Sequence, residues 1–321
     1  MSDDGATARV YALHAVVIAL LVALNFILPE YHHGVLARVL VLAVFAMGYN
    51  LLFGYVGLLS LGHAMFFAAG LYGAGLPLYH LGWGVVPAFA GGVGAGFLVS
   101  LIVGLLALRT SGVAFMIVTM MFAQVFYLVT LYFGAWTRGD EGLVLQQQAR
   151  QITLGTGTLD LTNPATRYLS AVALFAAALF ATLAIVRSRH GRVLVAIREN
   201  EERAKMLGYD TFANKLAAVV TSGVICAAAG AAYALLFGYV GSTFASVQYS
   251  ILPLLWVLLG GAATTLGPLL GTLFMYYVID ITSSYTSAYM LIVGAMLILL
   301  VLWFRKGVLG TLRDRWLGWL P

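Results

Sequence analysis

An all-α, polytopic membrane protein of about ten transmembrane helices is predicted by three observations. Of 321 residues, 62% are hydrophobic and 9% charged, with mean hydropathy +0.97, whereas water-soluble domains carry roughly 25% charged residues. Uncharged stretches recur at about the 17 to 25 residues needed to cross about 30 Å of hydrocarbon. Glycine is abundant at 36 residues, which suits helices that approach closely through small side chains. A bilayer must serve as the solvent.

The expected spans lie near 10–28, 35–53, 64–79, 85–107 and 112–133, then near 168–186, 216–238, 251–266, 267–284 and 286–304. The first begins behind an acidic start (Asp3, Asp4) with no basic run and no clear small-residue cleavage site, so it reads as a retained helix. The third follows the segment of Ser60 and His63, and the fourth carries a ladder of small residues, Gly92, Gly96, Ser100 and Gly104, that predicts close helix contact. Between the two sets runs 134–167, whose Gly, Thr, Gln and Asn content marks a surface loop. The sole cysteine, Cys226, sits in an apolar run and can form no internal disulfide.

Orientation follows from Lys and Arg, which are retained in cytoplasmic loops. Ten spans place both termini on one side. With them fall Arg9, Arg109, Arg187, Arg189, Arg192, Arg198, Arg203, Lys205, Lys215, Arg305, Lys306, Arg313 and Arg315. Only Arg38, Arg138, Arg150 and Arg167 lie opposite. Both termini are therefore expected in the cytoplasm, with 134–167 outside. The chain reads as a single transmembrane domain over 1–321: a first half at about 35–133, the external loop 134–167, a cytoplasmic loop 187–215, a second half at about 216–304, and a cytoplasmic tail 305–321.

The halves share a word. Leu51–Gly57 and Leu235–Gly241 both read LLFGYVG, with Tyr49 and Tyr233 placed alike before them. The copies end spans two and seven, five crossings apart, and so point oppositely through the bilayer. That predicts an inverted-topology repeat, an architecture that sets a substrate path between its halves.

The most informative hydrophilic stretch, 187–215, reads RSRHGRVLVAIRENEERAKMLGYDTFANK. Leu194, Ile197, Ala204 and Leu207 recur at helical spacing. Glu199 with Arg203 and Glu201 with Lys205 are i,i+4 pairs, and Gly208 suits a helix C-terminus. A short amphipathic helix is expected, its apolar stripe covered by a partner or by the membrane surface; a solvated connecting loop is the plainer reading.

Four blocks carry a resemblance over nearly the whole chain: GYVGLLSLGHAMFF at 54–67, ALRTSGVAFMIVT at 107–119, GRVLVAIRENEERAKMLGYDTFANK at 191–215 and GGAATTLGPLLG at 260–271. The chain resembles the permease subunit of branched-chain amino-acid ABC importers. The resemblance implies that 191–215 is similar to the cytoplasmic loop that couples such permeases to their ATPases, with Arg198, Glu199, Glu201, Glu202, Arg203, Ala204 and Gly208 as its candidates. It implies two separate ATP-binding subunits, a homologous second permease, a periplasmic substrate-binding protein and the bacterial inner membrane. The external WTRGDEGL at 136–143 is similar to that family's glycine-rich loop at Thr137, Gly139 and Gly142, with Arg138 intervening.

The residues themselves agree with a transporter that lacks its own motor. No G-x-x-x-x-G-K-[ST] phosphate loop occurs, so ATP is expected to serve the partners and this chain needs no cofactor. Gly54 and Gly57 interrupt an apolar segment ahead of Ser60 and His63, which predicts a broken helix at membrane depth, tolerated only where protein or a watery path covers it. These four are the candidates for the translocation pathway. Alternatives are an ion-coupled secondary transporter or channel, for which Asp280 is the one carboxylate inside a span, and the same machinery carrying urea or short amides. Scattered histidines offer no metal set, no nucleophile stands with a base, and the chain is expected not to be an enzyme.

Overall fold

The computed structural model describes residues 3–154, 157–286, 288–303 and 306–315. Its helices are α1 Asp3–Ile27, α2 Glu30–Asn50 continued by a π-helical turn Leu51–Val56, α3 His63–His80, α4 Val85–Ala107, α5 Val113–Tyr132, α6 Gly134–Thr137, α7 Pro164–Arg187, α8 Arg189–Glu199, α9 Glu201–Met206, α10 Thr211–Phe237, α11 Val247–Gly260, α12 Gly267–Tyr285, α13 Tyr289–Trp303 and α14 Gly307–Arg315. The predicted tail 305–321 falls within this description only over 306–315.

Among the described residues six helical stretches are long and apolar enough to cross a membrane: α1, α2 with its π turn, α4, α5, α7 and α10. The protein is an all-α, multi-pass membrane protein. A helix also occupies each of the other four expected stretches, but α11 has 14 residues, and at 1.5 Å per residue reaches roughly 21 Å. The predicted span 251–266 is thus too long, and the reason is local. After Gly260 the chain enters a turn in which Gly261 has φ 121 and Ala263 φ 57, closed by Thr264, whose hydroxyl donates to Gly261 O and accepts from Gly267 N.

At the centre stand α2 and α10, the most buried of the long helices. They run antiparallel, since Arg38 covers the Phe237 ring, Cys226 Sγ donates to Phe45 O at 3.6 Å, and Ser222 Oγ to Gly48 O at 2.6 Å. The two LLFGYVG copies therefore sit at opposite ends of the bundle. Identical residues adopt different backbones there: in the first, helix continues as a wide π turn until Gly57 takes φ 78, while in the second Gly238 takes φ 72 at once and Tyr239–Val240 becomes strand β4. Of the two glycines expected to interrupt this segment, Gly54 stays within the π turn and Gly57 ends it.

The small-residue ladder of α4 finds its partner in α10. Gly92 faces Ala231, Gly96 faces Ala227, Ser100 faces Gly223, and Gly104 faces Val219 and Leu216, so two four-residue repeats interlock along antiparallel helices. On its other side α10 packs on α3, where Gly70 abuts the Ala227 carbonyl and Gly230 the Phe67 carbonyl. Backbones this close gain dispersion contacts that lipid tails cannot supply.

The 134–167 segment has structure of its own. Strand β1 (Leu143–Val144) pairs with β4, and β2 (Gln151–Leu154) forms a hairpin with β3 (Gly157–Asp160). Thr137 donates to Thr130 O and accepts from Gly139 N, and Ser242 donates to Asp140. This segment thus lies at the end of the bundle where α10 finishes. The opposite end gathers the start of α1, through Arg187 over Tyr11, together with α8, α9, the π turn, the 261–266 turn and α14.

Candidate functional site

The candidate pathway residues fall at that second end. After Gly57 the chain crosses partly buried ground to α3: Ser60 accepts from Gly62 N, and the first turn of α3 is capped from α11, where Ser250 Oγ accepts from Ala64 N at 2.9 Å. His63 is fully buried, edge-on to Tyr49 and Phe66. Its Nε2 lies 3.0 Å from Ser222 Oγ, whose own proton goes to Gly48 O. The hydroxyl must then accept, so His63 carries its proton on Nε2 and presents a bare Nδ1, which has no hydrogen-bond partner. One nitrogen is thus bonded to Ser222, and the other has no partner among the aromatic neighbours Tyr49 and Phe66.

The 187–215 segment is two helices rather than the one expected. Asn200 takes an extended backbone and caps α9, its Oδ1 accepting from Arg203 N at 2.9 Å, as Ser188 caps α8. This break separates Glu199 from Arg203, so their expected pairing across one helix is lost. Glu201 does reach Lys205 at 3.6 Å, and Lys205 reaches Glu202 at 2.9 Å. Leu194, Ile197 and Ala204 are covered by this chain itself, which corrects the expectation that a partner or lipid must cover the stripe. What stays open is further on: Met206 is 78% and Leu207 74% exposed, with Tyr209 and Phe212 also exposed. Gly208, at φ 86, closes α9 in a Schellman turn, with Tyr209 N donating to Ala204 O and Gly208 N to Lys205 O.

Electrostatics clamp α9 to α10. Burial pushes the Glu201 carboxyl up, but the Lys215 ammonium at 2.7 Å and the Thr211 hydroxyl at 3.2 Å outweigh it and hold Glu201 below the ordinary glutamate range.

The two sets of candidates meet. The Arg198 guanidinium, at the last turn of α8, donates to the Gly54 carbonyl in the π turn, and its aliphatic stem lies over Gly57, leaving no room for a side chain there. A π turn widens the helix and frees carbonyls from their usual partners, which gives the guanidinium something to hold. Behind it Asn50 grips the 261–266 turn, Nδ2 donating to Thr264 O at 2.9 Å and Oδ1 accepting from Ala263 N at 3.0 Å. Arg313 of α14 donates to Ala263 O, and His14 of α1 bonds Thr265 Oγ1 at 2.7 Å. Three helices, α1, α2 and α14, are thus linked through polar contacts to one short turn, and α8 is fastened to the π turn beside it.

Sequence reading missed Asn50, Ser222, Arg313 and His14 as members of this hub. Asn50 had a signal, a lone amide ending an apolar span just before the repeated word; the others depend on long-range packing. Among the described residues no group of three His, Cys, Asp or Glu side chains could hold a metal ion.

The chain is thus a polytopic helical bundle with a helix-breaking segment clamped to a polar pair of short helices at one end. The sequence model described as branched-chain amino acid transport system / permease component matches residues 32–302, and the chain belongs to that family. It is similar to the high-affinity branched-chain amino acid transport system permease protein LivM of Salmonella typhimurium, 25% identical over 97% of this chain and 78% of that protein. It is similar to the LivM of Escherichia coli at 26% over the same shares. A probable branched-chain amino acid transport permease protein LivM of Methanocaldococcus jannaschii is 34% identical over 28% of this chain and 26% of that protein. No solved structure gives a significant match.

Proposed function

We propose that this chain forms one half of the translocation pathway of an ABC importer for branched-chain or related amino acids in the bacterial inner membrane. It works with a homologous second permease, a periplasmic substrate-binding protein and two ATP-binding subunits that supply the energy. The end carrying α8, α9 and the basic residues faces the cytoplasm, in accord with the retention of Lys and Arg there, and the 134–163 end faces outward. The ten helices form one transmembrane domain whose α2 and α10 halves are related by inverted topology.

One observation carries this reading: α8 and α9 present exposed Met206 and Leu207 beyond a rigidly capped frame, while Arg198 fastens that frame to the π turn leading to His63. An ATPase that grips the exposed tip moves α9; Glu201 and Lys215 pass the motion to α10, and Arg198 passes it to α2. Closure of the ATPase pair then tilts the permease halves from inward-open to outward-open. The test is reconstitution of all subunits with Met206→Asp and Leu207→Asp. Loss of ATPase association and uptake, with membrane insertion intact, is expected; uptake by the purified chain without any ATPase would refute the assignment.

A further inference from the structure

Arg38 is the one charged residue between Glu30 and Asn50 of α2, the helix at the bundle centre, and it is exposed while its neighbours Val35, Leu36, Ala37, Val39 and Leu40 are buried. It therefore points away from the core of the chain. Its guanidinium lies 5.0 Å from the Phe237 ring centre and 3.5 Å from the Tyr276 hydroxyl, the Tyr233 ring lies 4.7 Å from that of Phe237, and Tyr249 packs on Phe45 and Phe67. A second guanidinium, that of Arg167, covers the same Phe237 ring at 5.8 Å. Among the described residues neither arginine has a carboxylate within ion-pair distance. All four rings are partly exposed, and below them the fully buried Phe45 and Phe67 close the floor.

Two like charges converging on one aromatic ring near the outer end of the bundle, with no carboxylate beside them, repel each other, and a visiting anion relieves that repulsion. The geometry points to a carboxylate-binding position on the substrate path: Arg38, backed by Arg167, receives the carboxylate of an amino acid whose apolar side chain lies against Phe237, Tyr233, Tyr249 and Tyr276. The inference rests on the importer reading given above and sharpens it. Urea and short amides offer no anion, so this position favours amino-acid cargo over them. It lies at the end of α10 that carries the 134–163 segment, opposite the α8 and α9 end, where cargo released outside would first enter. Arginine suits this role because its planar fork holds a carboxylate through two parallel hydrogen bonds.

The test uses the complete transporter in proteoliposomes, driven by ATP and saturated with leucine-loaded binding protein, with Arg38→Gln and Arg38→Lys compared to the native chain. Leucine delivered per ATP hydrolysed is expected to fall about tenfold or more in Arg38→Gln and by a smaller factor in Arg38→Lys. The concentration of binding protein giving half-maximal ATPase rate should stay unchanged, which a general structural defect would not spare. Native delivery per ATP in Arg38→Gln overturns the inference; if that variant fails to assemble, native delivery in Arg38→Lys does so. Failure of both variants to assemble would assign Arg38 to subunit contact and overturn it equally. Absence of leucine uptake by the native complex would instead sink the importer reading itself.

Discussion

Asn50 satisfies both of its amide groups on the backbone of a distant turn, inside a bundle where water cannot replace them. Asn50→Ala leaves a buried N–H and C=O without partners, each costing about 1 to 3 kcal/mol, and should lower the thermal midpoint of the detergent-purified protein by several degrees. Ser222→Ala should act likewise, since it strands both Gly48 O and the His63 Nε2 proton. Glu201 makes a pH prediction. Its carboxyl is held below the glutamate range in the folded chain, so the stability it contributes is present above the unfolded value of about 4.3 and is lost as pH falls through the lowered folded value. Amide protection in α9, measured against the intrinsic exchange rate at each pH, should therefore be constant from about pH 8 to 5 and fall only below about 4. In Glu201→Gln the exchange should be faster throughout, with that acid dependence gone. The sequence showed Glu201 and its acidic and basic neighbours, but Lys215 as the main partner lay 14 residues away and beyond any helical spacing rule.

Helix α10 is built to be approached from two sides. Gly230 on one face leaves no space before the Phe67 carbonyl, and Gly96 of α4 none before Ala227 on the other. Gly230→Ala and Gly96→Ala should each cost about 1 to 3 kcal/mol through overpacking, read as a lower thermal midpoint. Gly94, two residues from Gly96 but facing open space, provides the control: Gly94→Ala should be neutral or slightly stabilising. The period of the α4 ladder was legible in the sequence, because small residues at every fourth position define a face. Its partner was not, since nothing local in 211–237 distinguishes the stripe Val219, Gly223, Ala227, Ala231 from the rest of a small-residue-rich span. The break in the 187–215 segment was hidden for a related reason. Asn200 reads as a tolerable residue within one helix, and only its extended backbone and its side-chain cap on Arg203 N make it a boundary.

At the scale of the whole molecule, polarity is the organising fact. One end holds a polar hub in which α1, α2, α8 and α14 converge through His14, Asn50, Arg198 and Arg313, and the other holds a short ordered cap built on β1, β4 and the β2–β3 hairpin. The repeated word marks these two ends, and its two conformations show why sequence identity did not reveal their difference: the first copy is held by Arg198 and Asn50, while the second begins a strand that pairs with β1. Composition and span length disclosed the bundle, because hydrocarbon imposes them on any chain that crosses it. The hub required tertiary contacts between residues up to 251 positions apart, such as His14 and Thr265. Cys226 is the only cysteine and is buried, so the polarity can be read directly with Cys226→Ala as the background. Cysteines are placed singly at Met206 in α9 and at Glu141 in the opposite cap, and intact cells and inverted vesicles are treated with a membrane-impermeant maleimide. Glu141→Cys should react only in intact cells, and Met206→Cys only in inverted vesicles stripped of the ATPase subunits; reaction of Met206→Cys in intact cells would contradict the account.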